Sequence, residues 1–427
     1  MRTGRGAAVA GVVTLAVVAA GCSSSQQIGS SGHPNPPAAL HIVTAKHHAH
    51  RVAFDKPLRV HVRHGALTAV TVREADGTIV PGAFNPRHTA WRSRTTFIPL
   101  TKMVATVNYL DLDHKSATRQ VPLRATDAKT HLSALLSPGA GDTVGVGSPV
   151  AVSFSRPVPD AMRAAVERRL SVQTAPKVVG AWHWMSDQSV HWRPPAYWKT
   201  GTHVTISSDL QGLNFGDGVW GANGHHSTSF KVGDAHVSEV DVGQHVMRVY
   251  NNGTLIKTFP VSAGRDQYPT MGGVHIAIDK APKVIMDSAT VGIPKGNPDY
   301  YYETVYWDVR ITDGGAFVHA APWSVSDQGN TNVSHGCVNL STTNAEWFYN
   351  WSLRGDIIDV YDTPRPPSPT DPGTADWNMS WKQWVAGDAL PTAAAKRLHP
   401  PMPRDGEPGF GPAPKHQHHT HHHVTHA

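Results

Sequence analysis

The chain is short of cysteine, with only Cys22 and Cys337 in 427 residues. Charge is also scarce: Asp, Glu, Lys and Arg together make up 16%. That argues against a coiled coil, and 40% apolar residues argue against a wholly disordered chain. No dense Lys/Arg run exists outside the first five residues, so a net charge of +6 does not describe a nucleic-acid reader. It suits work beside an anionic cell surface. What the chain has in quantity is turn formers, 38 Gly and 33 Pro. Together with the length, they predict a mainly β protein of two to four domains joined by Pro-containing linkers.

The N-terminus reads as an export segment. Arg2 and Arg5 precede an apolar stretch from Ala7 to Ala20, 14 residues long. This is too short to span a bilayer as a helix and suits a signal peptide over 1–21. Ala19-Ala20-Gly21-Cys22 resembles a bacterial lipobox, with Ala19 where Leu is usual. Lipidation of Cys22 would supply the several acyl chains that stable anchoring needs; ordinary cleavage nearby is the alternative. Either way no internal disulfide is possible, and Cys337 stands alone in an oxidising compartment. That makes it a candidate nucleophile.

From Cys22 to about residue 40 the chain is a Ser/Gln/Gly/Pro-rich tether. Short alternating strands follow, such as Leu58–Val62 and Leu67–Val72, and Asp76-Gly77 supplies a turn. They predict an immunoglobulin-like β-sandwich over 41–125. A second such sandwich is expected over 126–234. It includes a strand at Pro149–Phe154 and a short helix capped by Asp160 and running through Leu170. Trp182 and Trp184 share a strand face across from Trp192, where core packing competes with a carbohydrate platform. A third, β-rich domain is expected over 235–362. Its strongest signal is the hairpin of Val246–Tyr250 and Leu255–Val261 around Asn252-Gly253, and Asp356–Tyr361 reads as its closing strand. Trp377, Trp381 and Trp384 fall on one face of a short helix in a C-terminal subdomain, 363–400, expected to dock on the third domain. The Pro/His-rich tail, 401–427, holds seven His between Lys415 and Ala427; a solvated tail competes there with metal binding.

The chemistry gathers at His319-Ala-Ala-Pro-Trp323 and Ser334-His335-Gly336-Cys337-Val338-Asn339. A free thiol, with a reference pKa of about 8.5, is only slightly ionised at neutral pH. A neighbouring imidazole corrects this by taking its proton. His319, at the end of a strand over Ala316–Val318, is placed to do so, and Gly336 permits the close turn that points backbone N–H groups at an oxyanion. Two alternatives remain on chemistry alone: a buried inert Cys, and a zinc site from His319, His335 and Cys337, which has one ligand too few for a structural centre.

His319, fourteen residues, then Ser334–Asn339 resembles the signature of the L,D-transpeptidase (YkuD-type) catalytic domain. Met286-Asp287-Ser288 and the segment Gly373–Trp384 agree. The whole layout is similar to the mycobacterial type: lipid-anchored N-terminus, two immunoglobulin-like domains, catalytic domain and Trp-containing C-terminal subdomain. The resemblance implies Cys337 as nucleophile, His319 as base and acid, and the Ala320 carbonyl as third member, where many relatives carry Ser. It implies His335, Gly336 and Cys337 around the oxyanion, with Ser334 and Asn339 shaping the floor. Substrate or β-lactam contacts fall on Met286, Tyr301, Gly314, Gly315, Trp323 and Asn339. Relatives place a second lid tyrosine where Val291 stands.

The implied reaction uses no cofactor and no metal. Cys337 attacks the carbonyl after the third residue of a tetrapeptide stem and expels D-alanine, and a diamino-acid side-chain amine then takes the acyl group in a 3→3 peptidoglycan cross-link. Stem peptides are the expected partners, carbapenems the expected covalent inhibitors, and the extracytoplasmic face of the membrane, reached through the lipid anchor, the expected location. A same-fold carboxypeptidase or protein-to-wall acyltransferase, and a non-catalytic wall-binding lipoprotein, are the competing readings.

Overall fold

The structure, a computed structural model, describes residues 35–44, 50–368 and 371–390. The signal peptide, Cys22, most of the tether and the histidine-rich tail lie outside the described residues. The chain divides into two compact units, one reaching His131 and including Asn214–Gly221, the other formed by the remainder.

In the first unit, alternation of apolar and polar residues builds two four-stranded sheets. One runs in the order Ala39–Ile42, Arg59–Arg63, Ala90–Ser93, Gly82–Phe84, the other Arg51–Val52, Ser116–Ala125, Lys102–Asp111, Gly65–Glu74. Val60, Val62, Leu67, Val72, Trp91, Val107 and Leu123 form the core between them. Fully burying one such side chain contributes about 1.5–3 kcal/mol.

The second unit opens with another pair of four-stranded sheets, containing Val150–Phe154 with Ser189–Arg193 and His203–Ser208 with His226–Val232. Trp182, Trp184 and Trp192 are all buried, so they pack the interior and offer no carbohydrate platform. The helix differs from expectation. It spans Asp160–Glu167 with Pro159 as N-cap and no side-chain cap. Asp160 is the first helical residue, where its charge suits the helix N-terminus and pairs with Arg163 at 2.8 Å.

The remainder of this unit holds two sheets back to back with the helix Thr342–Trp351. The five-stranded sheet runs Thr254–Pro260, Val246–Asn251, His236–Asp241, Ile357–Tyr361, Gly273–Ile276. Asn252 and Gly253 both take positive φ, 49° and 81°, as the primed hairpin turn requires. The last strand, Ile357–Tyr361, inserts between His236–Asp241 and Gly273–Ile276. The four-stranded sheet runs Asp279–Asp287, Tyr302–Arg310, Phe317–Ala320, Val338–Leu340, its last pair parallel. Val309, Val318, Ala320, Val338 and Leu340 join Val240, Met247 and Phe348 in one core.

The three C-terminal indoles are not on one helix. Two short helices, Pro372–Asn378 and Trp381–Val385, carry them, broken where Ser380 caps the second helix with Gln383. The first helix packs on the strand Gly273–Ile276, where Asn378 bonds both backbone groups of Val274, but the three rings turn elsewhere. They converge on Arg193, at the end of a strand of the second sandwich, with its guanidinium 4.4 Å from the Trp384 ring, 4.6 Å from Trp377 and 5.5 Å from Trp381. Arg193 also donates to the Pro194 and Met379 carbonyls at 3.0 and 2.9 Å. Trp377 and Trp384 donate through Nε1 to the carbonyls of Gly147 and Ala181. A buried guanidinium is tolerated here because π faces and carbonyls replace its water. Arg193→Ala should therefore lower stability by roughly 2–4 kcal/mol and shift tryptophan emission to the red. Urea unfolding followed by fluorescence tests this, and an unchanged midpoint would count against the cage.

Candidate functional site

The parallel pairing sets the site. Val318 lies opposite Val338 and His319 opposite Asn339. Because side chains alternate along strands, Val318 and Val338 enter the core while His319, Asn339 and Cys337, one residue before its strand, share the other face. Thiol and imidazole are thus diagonal neighbours on one sheet face, a separation side chains can bridge. His319 stands inside the strand Phe317–Ala320 and not beyond its end. Its Nδ1 donates to the Ala320 carbonyl at 3.0 Å, which leaves Nε2 as the basic nitrogen.

In the resting site the thiol does not bond the imidazole. It contacts the Gly315 carbonyl, 4.0 Å from Sγ, and the Phe317 backbone also bonds the sulfur. Burial pushes the Cys337 thiol up to about 11 and the His319 imidazole down to about 4. Both groups are neutral, and both are almost fully covered. The arrangement therefore suits proton transfer during attack, with no thiolate stored beforehand.

Cys337 lines one of two adjoining cavities that share Val291, Tyr301 and the turn at Asp313–Gly315. One, of about 750 Å³, is lined by Cys337, Gly336, His335, Tyr301, Gly314 and Gly315 among others, and the second, of about 570 Å³, by Met286, Tyr301, Gly314 and Gly315. Val291 borders both. His319, Ala320, Trp323, Ser334 and Asn339 line neither. Trp323 is exposed, its ring 6.2 Å from that of His319, and Asn339 donates through Nδ2 to Ser324 Oγ at 3.1 Å. Ser334 Oγ donates to the Cys337 carbonyl at 2.6 Å and accepts from Gly336 N–H at 3.0 Å. Gly336 N–H therefore reaches an oxyanion only by exchanging that partner. The φ of +122° at Gly336 explains why a side chain is unwelcome there.

Tyr268, Arg265 and Asp299, which surround the expected residues His335 and Tyr301, carry no sequence signal of their own. His335 lies between Tyr268 and Tyr301, ring centroids 5.1 and 4.8 Å away, and burial with the nearby Arg265 charge lowers its pKa. Tyr268 is fixed by its hydroxyl donating to Asp299 at 3.0 Å, and Arg265 pairs with the same carboxylate. No group of three or more His, Cys, Asp or Glu side chains converges to hold a metal ion among the described residues.

Asp308 is the other unforeseen residue. The chain bulges between Tyr306 and Val309 opposite His319, with Trp307 at φ +58°. Val309 enters the core, so Asp308 points to the face His319 shares. Its carboxyl is fully buried and neither oxygen has a hydrogen-bond partner. Burial pushes it up to about 7, and its charge, when present, pushes the Cys337 thiol further up. Since the unfolded carboxyl ionises near 4, the folded state is penalised progressively as pH rises from there to about 7. Asp308→Asn should remove that slope. Its gain over the parent chain should grow to a few kcal/mol by pH 7 and disappear below about pH 4. Melting curves across this range test it, and parallel pH profiles for the two proteins would refute it.

Two segments of the chain match known families. Residues 49–214 match the bacterial Ig domain family and residues 235–360 the L,D-transpeptidase catalytic domain family. The chain is 38% identical over 339 residues to L,D-transpeptidase 2 of Mycobacterium tuberculosis, covering 79% of this chain and 82% of that protein. It is 33% identical over 353 residues to L,D-transpeptidase 5 of the same species, covering 80% and 75%. Among solved structures it is similar to L,D-transpeptidase 3 from M. tuberculosis in complex with a faropenem-derived adduct. There the identity is 35%, the coverage 54% of this chain and 98% of that one, and the TM-score 0.46.

Proposed function

This chain belongs to the L,D-transpeptidase family, and on that footing we propose that it forms 3→3 peptidoglycan cross-links with Cys337 as the nucleophile. The observation that carries this is the shared face: a buried thiol at a cavity wall, diagonal to an imidazole whose Nδ1 is already committed to the Ala320 carbonyl. Fixing Nδ1 as donor fixes Nε2 as acceptor.

As the thiol attacks the carbonyl after the third stem residue, its proton passes to His319 Nε2. The C–N bond to D-alanine breaks and the same proton goes to the leaving amine. The thioester is then opened by the side-chain amine of a second stem, which gives up a proton to His319 as the new amide forms and the thiol is restored. Strained β-lactam amides present the same electrophile, and ring opening leaves the acyl group on sulfur. Tyr301, Met286, Gly314 and Gly315 would line the donor path, while Trp323 and Asn339, on the imidazole side of the sulfur, suit the acceptor side. Val291, an aliphatic wall where relatives have tyrosine, leaves the closure of the cavity to Tyr301 and Tyr268.

We place the enzyme on the outer face of the membrane, lipid-anchored through Cys22; the apolar stretch and Gly21-Cys22 support this. Among the described residues no helix is long and apolar enough to cross a membrane.

Incubated with a carbapenem, the protein should gain the mass of one inhibitor, and Cys337→Ala should gain none. With tetrapeptide stems, the product should be a cross-linked dimer with free D-alanine. Release of D-alanine with only shortened monomers would mark a carboxypeptidase, and no adduct with no product would sink the enzymatic reading.

The pH dependence follows from the buried imidazole. His319 must be neutral to accept the proton, and burial holds it neutral down to about pH 4. The rate constant for carbapenem acylation should therefore be sustained through pH 6 and fall only toward pH 4. A loss centred near the free-histidine value of about 6.5 would contradict the assignment.

A further inference from the structure

We propose that Asp371, on the segment leading into the C-terminal helices, is a positioning residue for Cys337, acting through the turn at Thr312–Gly315. The inference rests on the reading of Cys337 as the acylated residue.

The turn joins the strands Tyr302–Arg310 and Phe317–Ala320 and borders both cavities. Within itself it is lightly held. Gly315 N–H reaches the Thr312 carbonyl at 3.3 Å, and Ala316 N–H reaches Thr312 Oγ1 at 2.9 Å. From one side Arg310 donates to the carbonyls of Thr312 and Asp313 at 3.1 and 2.9 Å. From the other side Asp371 accepts from the backbone N–H of Asp313 and of Gly314, one on each carboxylate oxygen, both at 3.2 Å. A carboxylate bridging two successive amides orients both peptide planes, and such bonds are stronger than neutral ones.

Two peptide units further along, the Gly315 carbonyl is the one the thiol contacts. Gly315 has φ +89°, and a Cβ there would sit 3.1 Å from Val291 Cγ1. The turn is thus fitted between the sulfur and the cavity wall, with little room to drift. Movement of its amides would carry the Gly315 carbonyl away from Sγ and open the cavity edge.

Asp371 is itself held in place. Downstream, Asn378 accepts from Val274 N–H at 2.9 Å and donates to the Val274 carbonyl at 2.8 Å, and Trp377, Trp381 and Trp384 enclose Arg193 of the second sandwich. A continuous set of contacts therefore runs from the second sandwich, through the C-terminal segment, to the thiol. Seating of that segment sets the geometry at the sulfur.

The test uses the full chain and two variants, Asp371→Asn and Asn378→Ala, with a carbapenem as probe. The first keeps size and loses one acceptor; the second loosens the segment without touching the turn. Acylation is followed by intact mass across inhibitor concentrations, and hydrogen exchange is read at residues 312–316. For Asp371→Asn we expect lost protection of the Asp313 and Gly314 amides. The maximal acylation rate should fall roughly tenfold, the size of effect that a small misplacement of reacting groups produces. The midpoint of Cys337 alkylation against pH should move down, because a displaced Gly315 carbonyl no longer holds the S–H. Asn378→Ala should move all three in the same direction, less far. Unchanged maximal rates and an unchanged alkylation midpoint in both variants would overturn the proposal while leaving the acylation of the parent chain intact. Failure of the parent chain to acylate would overturn the catalytic reading as well.

Discussion

The site depends on one packing constraint, the parallel contact of Phe317–Ala320 with Val338–Leu340. Parallel neighbours need a long connection, and here that connection is the loop carrying Trp323, Ser334, His335 and Gly336. The register decides which residues face the core. With Val318 against Val338 in the interior, imidazole and thiol have no other face to occupy. A slip of one residue would bury one and expose the other. The core therefore enforces the geometry proposed for catalysis through Val318, Ala320, Val338 and Leu340, whose side chains are buried on the opposite face.

Burial has a second consequence. A low-dielectric environment disfavours both members of a thiolate–imidazolium pair, so the resting enzyme holds neither charge. This protects the thiol, since oxidation and stray alkylation proceed through the thiolate. Chemistry then waits for an electrophile that can accept electron density as the proton moves. Asp308 works in the same direction: an ionised carboxylate beside the sulfur makes the thiolate still less accessible. Its neutral form, favoured by the same burial, relieves that pressure.

Much of this was legible in the sequence where the signal is local. Asn252-Gly253 announces a primed turn whatever surrounds it, and the spacing from His319 to Ser334–Asn339 marks the reactive segment. The alternation around Leu58–Val62 and Pro149–Phe154 is enough to place those strands. What could not be read is long-range. The offsets of Trp377, Trp381 and Trp384 suggested one helix docked on the catalytic domain. The capping demand of Ser380 splits them over two helices, and a buried cation nearly two hundred residues earlier (Arg193) gathers the rings on the second sandwich, while Asn378 keeps the first helix on the strand Gly273–Ile276. Asp308 sits in a strand whose alternation gives no hint that a bulge at Trp307 reorders the faces. Asp160 shows the limit of propensity: Asp is a good N-cap, yet Pro159 takes the cap and leaves Asp160 in the first turn.

The same long-range contacts bear on why the second sandwich and the catalytic domain fall in one compact unit. A module serving only as a spacer would need few contacts with what it carries. Here Gly145 and Gly147 donate backbone hydrogen bonds to Arg354 and Gly355 of the catalytic domain. At Gly145 a Cβ would meet the Asp356 backbone nitrogen at 2.3 Å, so the two backbones are packed too closely there for any side chain, and at Gly147 it would strike the Ile357 side chain. His236, at the start of the first catalytic strand, is held by Asp356 at 3.0 Å and stacked on Trp351, on the flank of this seam. The indole cage and the glycine-mediated contact meet at Gly147, whose carbonyl accepts from Trp377, so the sandwich is built into the catalytic unit. Changes at this seam should therefore register at the sulfur as well as in the orientation of the domains.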